Sequence, residues 1–327
     1  MKYEYEKYVC DQNTLIDTLN NYGVAIIPNL LNKDECDKIN DGIWNYFEHI
    51  SKDWKGEFIP IKKNNSKTWR SIFNLYPLHS QLYKHFGVGH SQVCWDTRQN
   101  PKIVNVFSKL WNCNNEDLFV SFDGFSFCLP PEITNKGWEN KSWFHTDQSY
   151  LRNDFECVQS WVTANDIEDG DATLAIMEGS HKYHSDFRNH FNVNDKSDWY
   201  KLNSIEEKFY ADKKCEYNKI KCPKGSLVLW DSRTIHYGTN PIKKRKNKNF
   251  RSIIYLCYNK KDSCSLKDQL KKQDLYNKKS TTNHWPCKPK PNSKLPNTFG
   301  GKLPSISEIN DPILNDLGKS LAGLDFN

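Results

Sequence analysis

Hydrophobic spacing divides the chain into two textures. Over 11–21, Leu15, Ile16 and Leu19 recur at helical intervals, and Gly23 follows where a helix can stop. A short apolar run at 24–27, closed by Pro28, predicts a strand. Asn32 and Glu35 then stand at the spacing of a capping box, ahead of a helix carrying Cys36, Ile39, Ile43, Trp44 and Phe47. An aromatic-rich stretch without clear periodicity runs to about Asn100, and 102–111 predicts another helix.

From Leu118 the pattern changes to short apolar or alternating runs bounded by Gly, Pro, Asn and Asp. Strands are predicted over 119–129, 143–150, 156–165, 173–178, 219–222, 226–231 and 251–258. That many short strands in about 140 residues point to a barrel or sandwich. The stretch 186–218 interrupts them as a polar insertion, helical over 186–212, and the last 60 residues are Lys-rich and then Pro-rich. The expected organisation is one domain over 1–327: a helical buttress with the first strands (1–115), a mainly β core (116–260), and a tail (261–327) wrapping the core as extended chain.

Composition adds limits. Apolar residues are 37% of the chain and aromatics 13%, enough for an aromatic-heavy core. The net charge of +6 is small for 327 residues, and the Lys-rich stretches at 243–248 and 260–279 lack interleaved aromatics, so a nucleic-acid surface is not expected. Eleven dispersed cysteines without a Cys-x-x-Cys pair predict reduced thiols, and no apolar run is long enough to span a membrane. The expectation is a soluble, cytoplasmic protein acting on a small molecule; nothing here assigns an oligomeric state.

The chemistry concentrates in a few positions. His145 and Asp147 are two residues apart on an expected strand, so both side chains project from one sheet face. His236 follows the strand entered from Gly225, and Arg251 opens the next strand. Two imidazoles and one carboxylate on one side of an Fe(II) ion leave the other side open for a chelating oxo-acid and O2. A fixed guanidinium is the natural bidentate partner for that acid's far carboxylate. The same ligands also suit Mn, Co or Zn, so a differently metallated or inactive binding protein is the alternative.

In His145-Thr-Asp147-Gln148, Glu178-Gly-Ser-His181, Asp231-Ser-Arg-Thr-Ile-His236 and Arg251, the chain resembles the phytanoyl-CoA dioxygenase-like Fe(II)/2-oxoglutarate oxygenases. The strand at 24–27 and Thr282-Asn-His284-Trp-Pro286 fit the same resemblance; 50–115 and 186–218 fit least. It implies a double-stranded β-helix (jelly-roll, cupin-like) core with iron on His145, Asp147 and His236, and Arg251 on the 2-oxoglutarate C5 carboxylate. It also implies conversion of 2-oxoglutarate and O2 to succinate and CO2 with hydroxylation of a small substrate, ascorbate serving as a reductant. An intact Asp147 favours hydroxylation over halogenation.

Around these, Trp161 and Ser126 are candidates beside the co-substrate, as are Trp143, Gln148 and Tyr150 toward the substrate. Phe144, Trp230 and Gln159 are further pocket candidates, Arg233 is a rival carboxylate binder ranked below Arg251, and Trp69 and Arg70 are entrance candidates. His181 is expected to bond the backbone, and His184 and His190 to be exposed.

Overall fold

The computed structural model describes residues 2–139 and 141–324. Two sheets face each other. One orders Lys2–Glu4, Tyr217–Ile220, Leu174–Met177, His236–Gly238, His145–Thr146 and Tyr200–Lys201. The other orders Val24–Ile27, Leu227–Asp231, Val158–Thr163, Arg251–Lys260, Phe125–Cys128 and Leu82–Tyr83, with Leu118–Val120 on the far part of Arg251–Lys260. Nearly all pairings are antiparallel; Lys2–Glu4 joins its neighbour in parallel.

Strand alternation assigns the faces of the second sheet. Val158, Val162, Leu227, Leu229, Ile254 and Leu256 point outward and bury Ile39, Ile43 and Phe47 of the helix Lys33–Ile50 and Ile103, Val106 and Phe107 of Pro101–Trp111. Each such side chain, fully buried, contributes about 1.5–3 kcal/mol of transfer free energy before entropy is counted. The helix Lys33–Ile50 begins in the capping box expected of Asn32 and Glu35, with both reciprocal hydrogen bonds made. The opposite face carries Trp161, Val228, Trp230 and Ile253, which meet Leu174 and Ile176 of the first sheet. The site lies in this space between the sheets.

Several expectations need correction. The run 119–129 is two strands, Leu118–Val120 and Phe125–Cys128. Between the pairs Val120–Tyr258 and Phe125–Ile254, four residues (121–124) oppose three (255–257), so the ladder bulges. Gly124 makes room for this: a Cβ there would lie 1.9 Å from Tyr83 O. Only His145–Thr146 of 143–150 is a strand, because the Gln148 side chain donates to Arg152 O and Asp154 O and closes a loop. The insertion is not a polar appendage. Its helices His184–Phe191 and Ser204–Asp212 bury Phe187 and Tyr210 against Phe144, Met177 and Tyr237 on the outer face of the first sheet. The tail is not wholly extended either: Leu266–Asn277 and Asp316–Ala322 are helices, and the chain between them runs irregularly, burying Thr282, Trp285 and Cys287. All eleven cysteines are free, and no described helix is long and apolar enough to cross a membrane.

Candidate metal centre

His145 and His236 come from adjacent strands and are direct cross-strand partners, which sets their rings 4.4 Å apart. Asp147 lies just past the strand end, tethered by its backbone N–H donating to Ser232 O. Its Oδ2 is 3.6 Å from His145 Nε2 and 3.3 Å from His236 Nε2, and one ligand atom from each residue falls within 4.8 Å of the others.

Both rings are fixed by their second nitrogen. His145 Nδ1 contacts Trp143 O at 3.2 Å, and His236 Nδ1 contacts Thr234 O at 2.8 Å. A carbonyl only accepts, so each Nδ1 carries the proton and each Nε2 presents a lone pair toward Asp147. Burial pushes the His145 imidazolium pKa down, and the neighbouring His236 adds to this, against an opposing pull from Asp147. Burial works against ionising Asp147, yet the neighbouring His145 and His284 hold it well below the usual carboxylate range. Gln159 Nε2 donates to Asp147 Oδ2 at 3.1 Å, fixing the carboxylate from the opposing sheet. Neutral imidazoles and an anionic carboxylate, each oriented by another group, are the donor set a divalent cation needs.

Arg251 opens its strand on the same inner face as Ile253 and Tyr255. It is 3% exposed, and its Nε and Nη1 have no partner among the described residues. Leaving buried charged donors unpaired is costly, which marks this as a place for an anion. Gly238 packs closely here: a Cβ on it would stand 3.8 Å from Arg251 Nη1 and only 2.6 Å from Ser80 Oγ, which is itself buried without a partner among the described residues. The residues present therefore fit a metal ion at one end and a dicarboxylate's far end at the other. Arg233, by contrast, gives Nε and Nη2 to Asp231 at 3.0 and 2.6 Å and is not free for a ligand.

The remaining candidates divide. Ser126 and Trp161 lie on the inner face; Ser126 Oγ donates to Ser80 O, and the Trp161 indole N–H is buried without a partner among the described residues. Trp143 stacks on His145 at 4.7 Å with rings 6° from parallel, and Trp230 lies 5.4 Å from His236. Gln148 is spent on its own loop, and Tyr150 is drawn away: its hydroxyl meets Tyr210 and its ring stacks on His184 and Phe187. Phe144 likewise joins that outer cluster. Trp69 donates to Lys62 O and Lys63 O and packs on Trp44, while Arg70 is exposed. His181 contacts Asn20 O as expected, and His190 is exposed, but His184 is buried against Ser149 O because Tyr150 stacks on it.

Two residues near the triad carried no functional assignment in the sequence. Trp199, in the insertion, is 51% exposed with its ring 5.9 Å from that of His145. An isolated Trp in a poorly patterned stretch gives no signal of its own. His284, on the tail, brings Nδ1 to 4.0 Å from Asp147 Oδ2; only the resemblance of its segment hinted at it.

A family model described as phytanoyl-CoA dioxygenase (PhyH) matches residues 19–241. Ava biosynthesis cluster protein O of Aspergillus versicolor is 25% identical over 230 residues, covering 68% of this chain and 70% of that protein. A hypothetical protein from Escherichia coli, 12% identical, superposes with a TM-score of 0.60 over 97% of this chain and 85% of its own, and shows a shared fold. The epimerase SnoN, solved with Fe3+, α-ketoglutarate and nogalamycin RO, gives a TM-score of 0.45 at 12% identity over 76% of this chain and 82% of its own.

Proposed function

The chain belongs to the phytanoyl-CoA dioxygenase (PhyH) family, and on that premise we propose that it is an Fe(II)- and 2-oxoglutarate-dependent dioxygenase that hydroxylates a small organic substrate. Succinate and CO2 are the co-products, and ascorbate is the expected reductant. The two facing sheets are then the halves of a double-stranded β-helix. The observation that carries the reading is the pairing of a convergent His145–Asp147–His236 triad with a buried Arg251 whose Nε and Nη1 lack partners among the described residues.

In this reading His145 and His236 hold the ion through Nε2, and Asp147 holds it through a carboxylate oxygen kept in place by Gln159. Arg251, with Ser80 and Ser126 close by, takes the far carboxylate of the oxo-acid. When bound, iron and 2-oxoglutarate supply the activation of O2 and the oxidation of a C–H bond. The protein's part is position and dryness: Trp161, Trp230, Ile176 and Ile253 line the inner space and exclude water. Trp143 and exposed Trp199 flank His145 on the side a substrate would approach.

Anaerobic protein given Fe(II) and 2-oxoglutarate should develop a visible metal-to-ligand charge-transfer band, which His145→Ala should remove. With O2, succinate should form. Metal binding without band or succinate would instead indicate a differently metallated binding protein, and neither metal nor 2-oxoglutarate binding would sink both readings.

A further inference from the structure

His284 reaches the metal centre from a part of the chain far from the three ligands, and its segment is pinned on both sides. Thr282 N donates to Phe122 O at 3.0 Å and Phe122 N to Thr282 Oγ1 at 3.1 Å, tying the segment to the bulge. Asn283 N donates to Lys290 O, closing the following turn. Trp285 is buried against Cys157 and Cys257, with the Arg152 guanidinium 4.4 Å from its ring centre. Between these anchors the His284 ring has little freedom, and its side chain is 17% exposed.

The two nitrogens have different surroundings. Nδ1 is 4.0 Å from Asp147 Oδ2, whereas Nε2 is buried with no partner among the described residues. The tautomer protonated on Nε2 would bury an N–H without an acceptor and set the Nδ1 lone pair against the carboxylate. The tautomer protonated on Nδ1 avoids both and turns its N–H toward a carboxylate. At 4.0 Å the separation is beyond hydrogen-bond length, so the contact is that of an N–H dipole facing an anionic oxygen. His284 Nδ1 is not one of the converging ligand atoms.

We propose that His284 is a positioning residue of the metal centre: through Nδ1–H it orients the Asp147 carboxylate toward the ion, making the C-terminal segment part of the site. The inference rests on the reading of the triad as a metal site. Its effect resembles that of other groups that orient a ligand, where removal typically weakens metal binding tenfold to a hundredfold.

The test uses full-length apo-protein titrated with Co(II), followed by the ion's d–d absorption, with thermal unfolding recorded for each variant. Wild type should bind, and His284→Ala should bind roughly ten- to a hundredfold more weakly. His284→Asn, whose amide nitrogen falls near the position of Nδ1, should recover most of the affinity. His284→Gln, which reaches toward the position of Nε2, should not. Should His284→Ala lower the unfolding temperature, the Asn and Gln variants, both polar and similar in size, still decide the matter. Wild-type affinity in the Ala or Gln variant overturns the proposal, as does equal impairment of Asn and Gln. Absence of Co(II) binding by wild type overturns the metal-site reading, and this inference with it.

Discussion

The two ends of the inter-sheet cleft are built on opposite principles. At the triad each ligand already has a second partner: His145 with Trp143 O, His236 with Thr234 O, Asp147 with Gln159. At the other end Arg251 Nε and Nη1, Ser80 Oγ and the Trp161 N–H are buried with none among the described residues. The first end is pre-organised, so binding an ion there requires little rearrangement of side chains. The second is incomplete, and a polyanionic ligand would supply acceptors that the protein withholds. On the proposed function, the first end would hold the cation and the second the carboxylate.

That contrast breaks most sharply at Asp147. Asp147→Ala should abolish Fe(II) binding and succinate release together, read by metal titration and product assay; retained turnover would mean the ion sits elsewhere. Arg251→Ala should raise the 2-oxoglutarate KM roughly ten- to a hundredfold, the worth of hydrogen bonds to a charged group, while leaving Fe(II) affinity alone. A parallel loss of metal affinity would erase the distinction between the ends. Gln159→Ala tests pre-organisation, and its Fe(II) dissociation constant should rise about tenfold.

The remaining predictions lie outside the cleft and sharpen the contrast by what they leave unchanged. Burial pushes the pKa of His90 down to about 3 and that of His184 down to about 4. Unfolded, both would titrate near 6.5, so the unfolded chain binds more protons below that pH. Their stabilising contribution is therefore complete above about pH 6.5 and declines as pH falls toward 4 and then 3, by up to about 1.4 kcal/mol per pH unit for each ring. Urea midpoints should fall between pH 7 and 5, and a flat profile would contradict neutral burial. Arg233→Ala should leave the 2-oxoglutarate KM within about twofold while costing on the order of 3 kcal/mol of stability, because Asp231 would be left buried and unpaired. A large KM change would make Arg233 the carboxylate binder instead.

Much of this is legible in residue order. The two-residue spacing of His145 and Asp147, the placement of His236 after the strand Leu227–Asp231, and Arg251 at a strand start are local patterns of period two. The strand Val24–Ile27 and the capping box at Asn32 were equally local. Hidden were features that depend on which distant segments meet: the direct pairing of His236 with His145, the close approach of Ser80 to Gly238, the withdrawal of Tyr150 into the insertion's cluster, and the approach of His284. Burial of His184 belongs with these, since its segment is polar and only stacking against Tyr150 makes the interior favourable.

By itself, then, the sequence determined residue types and their alternation: which side chains could bind a metal and which guanidinium could meet an acid. Periodicity encodes such things because a strand's two faces follow from backbone geometry alone. Register and partner choice were decided only in three dimensions. They depend on the summed packing of two sheets, an insertion and a tail, and no local window contains that sum. Arg233 and Arg251 illustrate the division. Either arginine could have bound an anion by type, but folding paired Arg233 with Asp231 and left Arg251 buried with donors to spare.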